Sequence, residues 1–181
     1  MALTATVHTF DITLNDADRG VYETLSLRAA RHPSETAEFL MTRVLAYCLE
    51  FTEGLQFSKG LSDPDVPALF ARDLTGALTA WIEVGLPDAA RLHKATKNAG
   101  RVAVYCHREA SALLAKLEGE ALHRAERIEI CAFEPGFLGA LAARLERRMS
   151  FDLAVTERHL YLTLGTETLA GAVHSHRLAA A

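Results

Sequence analysis

The sequence predicts a single-domain α/β protein, residues 1–181, in which helices flank one mixed β-sheet. A chain of 181 residues fits one domain of roughly 150 residues and can bury one sizeable core. Stretches that alternate between apolar and polar residues near both ends predict antiparallel strands. In the middle, strand, helix and strand follow one another within about thirty residues. Half of the residues are apolar, with only 11 Gly and 5 Pro, which excludes disordered and collagen-like chains.

The N-terminal part predicts a hairpin followed by a helix. Residues 4–14 and 21–30 both alternate, and these two stretches are predicted to pair as antiparallel strands. In residues 32–36 (HPSET), the proline ends the strand, the serine can cap a helix, and Glu35 is an acid in its first turn. The helix that follows carries an apolar stripe and is predicted to end near Gly54.

The central segment predicts a loop and then a βαβ unit. Residues 54–72 contain two glycines and two prolines, which predicts a loop with room for a short strand or helical turn. Residues 77–85 are rich in β-forming residues and predict a strand with Glu83 near its end. A helix over residues 87–98 and an apolar strand over residues 101–106 complete a unit whose two strands should be parallel.

The remainder of the chain continues to alternate between helices and strands. The predicted elements are a helix near residues 107–117, a strand at 128–133, a helix at 136–147, and antiparallel hairpins built from 150–156, 159–164 and 168–176. The tail therefore adds antiparallel strands to a parallel centre.

One basic segment stands out from a chain that is acidic overall. The 19 Lys and Arg against 23 Asp and Glu give a net charge of −4, which argues against a surface that coats nucleic acid broadly. Residues 89–108 nevertheless carry five basic residues and no acid. Arg91, Lys94 and Lys97 share one side of the predicted helix and suit contact with phosphate groups. A solvated helix face is the alternative.

Three acids form a candidate metal site. Glu35 lies at a helix start, Asp73 before a turn, and Glu83 at a strand end. Carboxylates brought together from separate elements supply the oxygen ligands with which Mg²⁺ or Mn²⁺ bridges to a phosphate and activates water. Glu83 has the strongest argument, because a carboxylate in an apolar strand is costly to bury unless it is paired or metal-bound. The alternatives are solvated acids and, for Glu35, an acid that offsets the helix dipole.

Other kinds of site lack their sequence signals. Cys48, Cys106 and Cys131 match no CxxC spacing, so we expect small buried hydrophobic residues rather than disulfides or a zinc site. The GxSxG, GxxxxGK and GxGxxG motifs do not occur. The N-terminus lacks the pattern of a signal peptide, and no apolar run approaches the ~20 residues of a membrane span. We therefore expect a cytoplasmic protein with no membrane partner.

Three segments closely resemble the bacterial YaeQ family. They are residues 32–36 (HPSET), 55–61 (LQFSKGL) and 81–88 (WIEVGLPD), the last followed by Arg91, Lys94 and Ala95. The likeness in length and order covers essentially the whole chain. The family is similar to the PD-(D/E)xK nuclease fold, a core of helix, three strands, helix and strand that holds a divalent metal ion. The resemblance implies such a core here, with antiparallel strands added at both ends.

The resemblance also implies roles for the three acids. Glu35 matches the acid of the first core helix, Asp73 the aspartate of the second core strand, and Glu83 the acid of the third. Asp73 and Glu83 would then bind Mg²⁺, with Mn²⁺ as the alternative, and Glu35 would hold the metal or a water. A Pro64-Asp65 pair also occurs, but it lies in the predicted loop, and Asp73 is preferred.

The cationic part of the family's motif departs from its usual form. Val and Gly follow Glu83, so the lysine of the E-x-K triplet is absent there. Lys94, on the next helix, is its expected replacement and would stabilise the phosphate or orient the nucleophile. Arg91 and Lys97 would position the phosphate backbone.

Two functions follow as hypotheses. The first is a nuclease-like protein that hydrolyses phosphodiesters with Mg²⁺ at Glu35, Asp73, Glu83 and Lys94. The second is a non-catalytic relative of the nuclease fold that binds nucleic acid or a protein partner, linked to transcription or translation. The three acids and the lysine favour the first, and the missing E-x-K lysine favours the second.

Overall fold

The protein is described by a computed structural model over residues 4–59 and 65–179. These residues form strands and helices with parallel and antiparallel pairings, so the mixed α/β class is confirmed. In chain order the elements are β1 (Thr6–Asp16), β2 (Val21–Arg31), α1 (Ala37–Leu49), β3 (Gln56–Phe57), β4 (Leu69–Arg72), β5 (Leu78–Val84), α2 (Ala89–Asn98), β6 (Arg101–Cys106), α3 (Ser111–Leu117), β7 (Ile128–Phe133), α4 (Pro135–Ala142), β8 (Arg148–Thr156), β9 (His159–Leu164) and β10 (Glu167–Arg177).

Contacts divide the chain into two compact units. The first unit contains the residues up to Leu49 together with Phe133–His174, and the second contains Glu50–Ala132 together with the segment from Ser175 onward. One domain over residues 1–181 stays a prediction. No helix in the described ranges is long and apolar enough to cross a membrane, and the cytoplasmic location also stays a prediction.

The first unit contains strands in the order β2, β1, β8, β9 and β10. The predicted hairpin of β1 and β2 is confirmed, with Thr6 opposite Arg31 and Asp16 opposite Val21. The antiparallel pairs β8–β9 and β9–β10 confirm the hairpins predicted for the tail. Strand β1 also pairs in parallel with β8. The two strands are far apart in sequence, so no local sequence pattern predicts this pairing. Every second residue of β1, from Phe10 to Leu14, is buried.

Helix α1 begins slightly later than the sequence predicts. Its first turn is capped by Thr36, whose hydroxyl accepts a hydrogen bond from the Phe39 N–H at 3.1 Å. Ser34, the predicted cap, instead lies 2.6 Å from the His32 ring. Glu35 therefore lies in the turn before the helix, and α1 ends at Leu49, before the predicted stop at Gly54.

The second unit contains strands in the order β7, β6, β5, β4 and β3. Strand β5 pairs parallel with β6, which confirms the predicted βαβ unit, and antiparallel with β4. Strands β3 and β4 lie in the stretch predicted as a loop, of which residues 60–64, including Pro64, fall outside the described residues. Residues 80–84 of β5 are buried on both faces, so this strand is central and not half-exposed.

The three cysteines are free and buried, as predicted. Burial raises the pKa of the Cys48 thiol and of the Cys106 thiol to about 12, because desolvation disfavours the thiolate. The thiols of Cys48 and Cys106 are therefore protonated and packed as small apolar groups.

Gly171 in β10 lies against the ring of Phe137 from α4. A Cβ at position 171 would lie 2.6 Å from Cγ of Phe137 and closer still to its Cβ. Since Phe137 is buried and these are not flexible side-chain ends, we expect Gly171→Ala to lower the free energy of unfolding by about 1–3 kcal/mol. Urea unfolding of both proteins measures this difference.

Gly139→Ala is the matched control for this prediction. A Cβ at Gly139, in helix α4, meets nothing within 4 Å, and alanine is favoured over glycine in helices by up to about 1 kcal/mol. We expect this variant to be at least as stable as the parent chain. Equal stability of the two variants would contradict the close packing of β10 on Phe137.

Candidate functional site

Glu83 is a buried acid near the end of the central strand β5. Its side chain is only 6% exposed, and its neighbours in the strand are apolar and buried. Its Oε1 accepts hydrogen bonds from the indole N–H of Trp81 at 2.7 Å and from Nε of Arg91. The charge of Glu83 is therefore compensated by Arg91, as a buried carboxylate requires. Its other oxygen, Oε2, accepts no hydrogen bond from the described residues.

Arg91 connects three parts of the second unit. Its backbone N–H donates to Oδ1 of Asp88 at 2.8 Å, which caps helix α2. Its guanidinium binds Glu83 of β5 and donates to the carbonyl of Val66 at 2.8 Å. One cation thus holds the start of α2, the end of β5 and the segment before β4 together.

A second ion pair lies one helical turn further along α2. Lys94 Nζ donates to Oδ1 of Asp65 at 2.5 Å. Asp65 is 77% exposed and Lys94 44% exposed, whereas Arg91 is 25% exposed. We name the residues Asp65, Glu83, Arg91 and Lys94 the α2 cluster. It has a buried inner pair and an outer pair that solvent reaches.

The cations Lys94 and Arg91 lower the pKa of Asp65. The hydrogen bond from Lys94, together with its charge, lowers the pKa of Asp65, and the charge of Arg91 lowers it further. A nearby positive charge stabilises the carboxylate over the carboxylic acid. Asp65 is therefore an ionised carboxylate at neutral pH, paired with Lys94.

Asp73 lies in the turn between β4 and β5 and organises that turn. Its Oδ1 accepts hydrogen bonds from the Thr75 hydroxyl at 2.6 Å and from the backbone N–H groups of Thr75 and Ala77 at 2.8 and 3.1 Å. The Thr75 hydroxyl is the main cause that lowers the pKa of Asp73. Gly76, at φ 86°, completes the turn in a conformation that glycine adopts readily.

The geometry of β5 separates Asp73 from Glu83. Asp73 precedes β5, and Glu83 lies five residues after Leu78, the first residue of the strand, which at ~3.3 Å per residue places them about 17 Å or more apart. The structure therefore does not bring together the two residues that sequence analysis selected as ligands of one metal ion.

From the sequence alone, Asp73 is preferred over Asp65, yet Asp65 is the acid that Lys94 binds. Because β4 and β5 are antiparallel, with Leu69 opposite Ile82, the segment that precedes β4 lies at the end of β5 that carries Glu83. The register of this hairpin, combined with the Pro64-Asp65 pair, is the signal that could have identified Asp65. The glycines and prolines of residues 54–72 favour a loop, so the sequence does not predict the antiparallel pairing of β4 with β5.

Glu35 belongs to the first unit, where it is fully engaged in an ion pair. Its side chain is 0% exposed, and its Oε1 accepts a hydrogen bond from Arg43 at 2.8 Å. Its Oε2 accepts the backbone N–H of His32 at 3.1 Å, and its carbonyl accepts Nε of Arg31 at 2.9 Å. Both carboxylate oxygens therefore serve the turn between β2 and α1, which is a structural role.

Two further basic residues of segment 89–108, Lys97 and Arg101, have different environments. Lys97, on α2, is exposed and makes no ion pair with any residue the structure describes. Arg101 instead binds Glu50 at 2.6 and 2.9 Å and Glu129 at 2.7 Å, and Tyr105 donates to Glu50 at 2.7 Å. Burial is the main cause that raises the pKa of Tyr105. Arg101 is thus engaged in ion pairs with two acids, which is a structural role.

The described residues contain no group of three or more His, Cys, Asp or Glu side chains arranged to hold a metal ion. The acids that fit a hard cation best are Asp65 and Glu83, since carboxylate oxygens are its preferred ligands. Mg²⁺ is commonly held by one or two carboxylates, with water and phosphate oxygens completing its shell. In the α2 cluster both acids are engaged by cations, Asp65 by Lys94 and Glu83 by Arg91.

Comparisons with known proteins agree over nearly the whole chain. A family model described as "YaeQ protein" matches residues 1–173. The protein of Salmonella typhi described as "Uncharacterized protein YaeQ" is 31% identical over 164 residues, which cover 90% of this chain and 91% of that protein. The Escherichia coli protein of the same description is 40% identical over 112 residues, 62% of each chain.

Two crystal structures have the same fold. The YaeQ protein from Xanthomonas axonopodis pv. citri superposes with a TM-score of 0.88 at 31% identity, covering 97% of this chain and 100% of that chain. The YaeQ protein from Pseudomonas syringae gives a TM-score of 0.86 at 31% identity, covering 97% of each chain.

The ion pair of Glu35 leads to a stability prediction. Glu35→Gln removes the negative charge that the buried guanidinium of Arg43 binds at 2.8 Å, and we expect the free energy of unfolding to fall by about 3–5 kcal/mol. Glu38→Gln, an exposed change in the first turn of α1, is the control and should stay within about 0.5 kcal/mol. Urea unfolding measures both, and equal small losses would contradict the structural role of Glu35.

The outer pair of the α2 cluster leads to a prediction on pH. Lys94→Met removes the hydrogen bond and charge that lower the pKa of Asp65, so this pKa should rise toward the ordinary aspartate value of ~3.9. In the parent chain the Asp65–Lys94 pair is complete above that value and is lost as the pH falls through the lowered pKa. Carboxyl NMR titration measures the shift. Lys97→Met should leave it unchanged, and an equal effect of both variants would contradict the pairing.

Proposed function

The chain belongs to the YaeQ family, and from that membership we propose that it is a nuclease-like protein that hydrolyses phosphodiester bonds with Mg²⁺ at the α2 cluster. One observation carries the proposal. A carboxylate buried to 94% of its side-chain surface, Glu83, leaves Oε2 unshared among the described residues, beside a second acid and two cations of α2. Buried acids with specific charge partners are enriched at functional sites.

Asp65 and Glu83 are the residues that would hold the metal ion. They approach consecutive turns of one helix, through Lys94 and Arg91 respectively. Bound there, Mg²⁺, or Mn²⁺ as the alternative, would supply a Lewis acid for the phosphoryl oxygens and lower the pKa of a bound water. In this assignment Asp65 takes the place expected for Asp73, and Glu35 does not bind metal.

The cations of α2 would act on the phosphate. Lys94 is a compact charge on a flexible stem, suited to stabilising negative charge that develops on phosphoryl oxygens. Arg91 keeps Glu83 oriented by holding its Oε1. Lys97, one turn beyond Lys94 and exposed, is placed to contact a neighbouring phosphate of the substrate backbone. The proposal thus extends the likeness to the PD-(D/E)xK fold, with its lysine displaced onto α2.

A non-catalytic binding protein is the second candidate. Glu83 is followed by Val84 and Gly85, the latter at φ 103°, so no lysine side chain follows the acid in the strand. The basic face of α2 would then bind nucleic acid, or an acidic partner protein in transcription or translation, without turnover. Such binding would weaken steeply with salt, because contacts to phosphate release counterions.

Cleavage assays distinguish the two candidates. We expect the parent chain to cleave single- or double-stranded DNA or RNA only with Mg²⁺ or Mn²⁺, and Glu83→Gln and Asp65→Asn to reduce the rate by about 10²-fold or more. Substrate binding without cleavage at any metal concentration would favour the second candidate. Unchanged turnover in Glu83→Gln would remove the proposed mechanism.

Asp73→Asn is the matched control for the choice of aspartate. It carries the same change as Asp65→Asn, but it alters the β4–β5 turn at the opposite end of β5. We expect it to retain metal-dependent cleavage, provided that circular dichroism shows a folded protein. Cleavage lost in Asp73→Asn and retained in Asp65→Asn would contradict the assignment.

A further inference from the structure

One face of the sheet in the first unit is open to solvent. Burial alternates along β1, β8 and β9 and along most of β2, so that each strand turns its other residues to the core. Paired residues of neighbouring strands point to the same face. The exposed and half-buried positions therefore form one surface, which we name the open face. It consists of the odd-numbered residues of 7–15 and 159–163 and the even-numbered residues of 22–30 and 148–156.

Two aromatic rings lie in one row of the open face. Tyr22 is 64% exposed and Tyr161 is 45% exposed. They share a row because Tyr22 lies opposite Asn15, Asn15 opposite Ala154, and Ala154 opposite Tyr161. Three strand spacings of ~4.8 Å place their Cα atoms about 14 Å apart. Neither ring contacts another ring within the described residues, so both can stack on a ligand.

Two arginines lie at the other end of the open face. Arg28 and Arg148 are both opposite Thr9, one on each side of β1, so their Cα atoms are about 10 Å apart. Both are exposed, and neither forms an ion pair with any residue that the structure describes. The guanidinium group binds phosphate with two parallel hydrogen bonds. Two such cations beside one strand favour an anionic ligand.

We infer that the open face binds single-stranded nucleic acid, with its phosphates at Arg28 and Arg148 and its unpaired bases stacked on Tyr22 and Tyr161. The two rows are six residues apart along β2, about 20 Å, so one strand of several nucleotides reaches both. Exposed aromatic residues beside a basic region are the means by which sheets bind single strands. No residue of the α2 cluster takes part, so the inference does not depend on the proposed function.

The residues between the two rows favour nucleic acid over a second copy of the chain. An interface between copies has an apolar centre, whereas Thr13 lies between Thr24 and Asp152 in the middle of this face. Asp11 and Asp152 repel phosphate, but carboxylates accept hydrogen bonds from the amino groups of bases. Cytosine has such an amino group and thymine does not. We therefore expect a preference for oligo(dC) over oligo(dT).

Fluorescence anisotropy of a labelled oligo(dC) in EDTA tests the stacking contacts. A length of about twelve nucleotides lies within the range that single-strand sites cover, and EDTA excludes any role of a metal ion. The parent chain should bind this strand more tightly than oligo(dT) and more tightly than a duplex of equal length. Tyr22→Leu and Tyr161→Leu should each weaken binding about 5-fold or more, whereas Tyr22→Phe and Tyr161→Phe keep the ring and should retain it.

The salt dependence of the same binding tests the phosphate contacts. Each phosphate contact with a single strand contributes about 0.7 to the slope of log affinity against log salt concentration. Arg28→Ala combined with Arg148→Ala should therefore lower that slope by about 1.4. Arg108→Ala is the matched control, because Arg108 is exposed in the second unit and has no ion pair among the described residues. It should leave the slope unchanged.

Three results would overturn the inference. Equal affinity for the single strand and the duplex would exclude base stacking. Full affinity in both leucine variants, with loss of binding in Lys97→Glu, would place the nucleic acid on helix α2 instead. No binding of any single strand in EDTA would remove the open face as a site, but it would leave intact the proposed hydrolysis, which the cleavage assays measure separately.

Discussion

The charge of Glu83 has to be compensated inside the second unit, and the contacts that compensate it organise the site around it. Trp81 binds the carboxylate from the same strand and Arg91 binds it from helix α2. Because the Arg91 guanidinium also binds the Val66 carbonyl, the pairing of one acid fixes the start of α2 against the chain segment before β4. Lys94, one turn further along α2, binds Asp65. An uncompensated carboxylate would be strongly unfavourable at this position.

Two of the buried acids, Glu35 and Glu83, use the same local arrangement with different results. Glu35 and Glu83 each precede a helix and bind an arginine eight residues further along, Arg43 and Arg91. At Glu35 both oxygens are engaged and no surface is exposed, so the carboxylate has no capacity for a ligand. At Glu83 only one oxygen is engaged within the described residues. Residue type and spacing are identical, and the number of engaged carboxylate oxygens separates a structural acid from a candidate ligand.

Local sequence patterns predict most of the helices and strands. They do not predict which strands pair when these are far apart in sequence. Proline, glycine and hydrophobic periodicity predict the hairpin of β1 and β2 and the unit around α2, since these signals depend on neighbouring residues. They cannot indicate that Thr9 lies opposite Arg148. The candidate site divides in the same way. Charge and burial patterns predict Glu83 and Lys94, but the choice of Asp65 over Asp73 depends on the register of β4 against β5.

The three buried thiols make opening of the folded chain measurable by chemistry. A thiol reagent attacks the thiolate, and the thiols of Cys48 and Cys106 have a pKa of about 12 while folded, so labelling has to wait for a local or global opening. Cys48 belongs to the first unit, and Cys106 and Cys131 to the second. The modification rate of each cysteine therefore reports how often its own unit opens. Comparison of the rates shows whether one unit opens while the other stays folded.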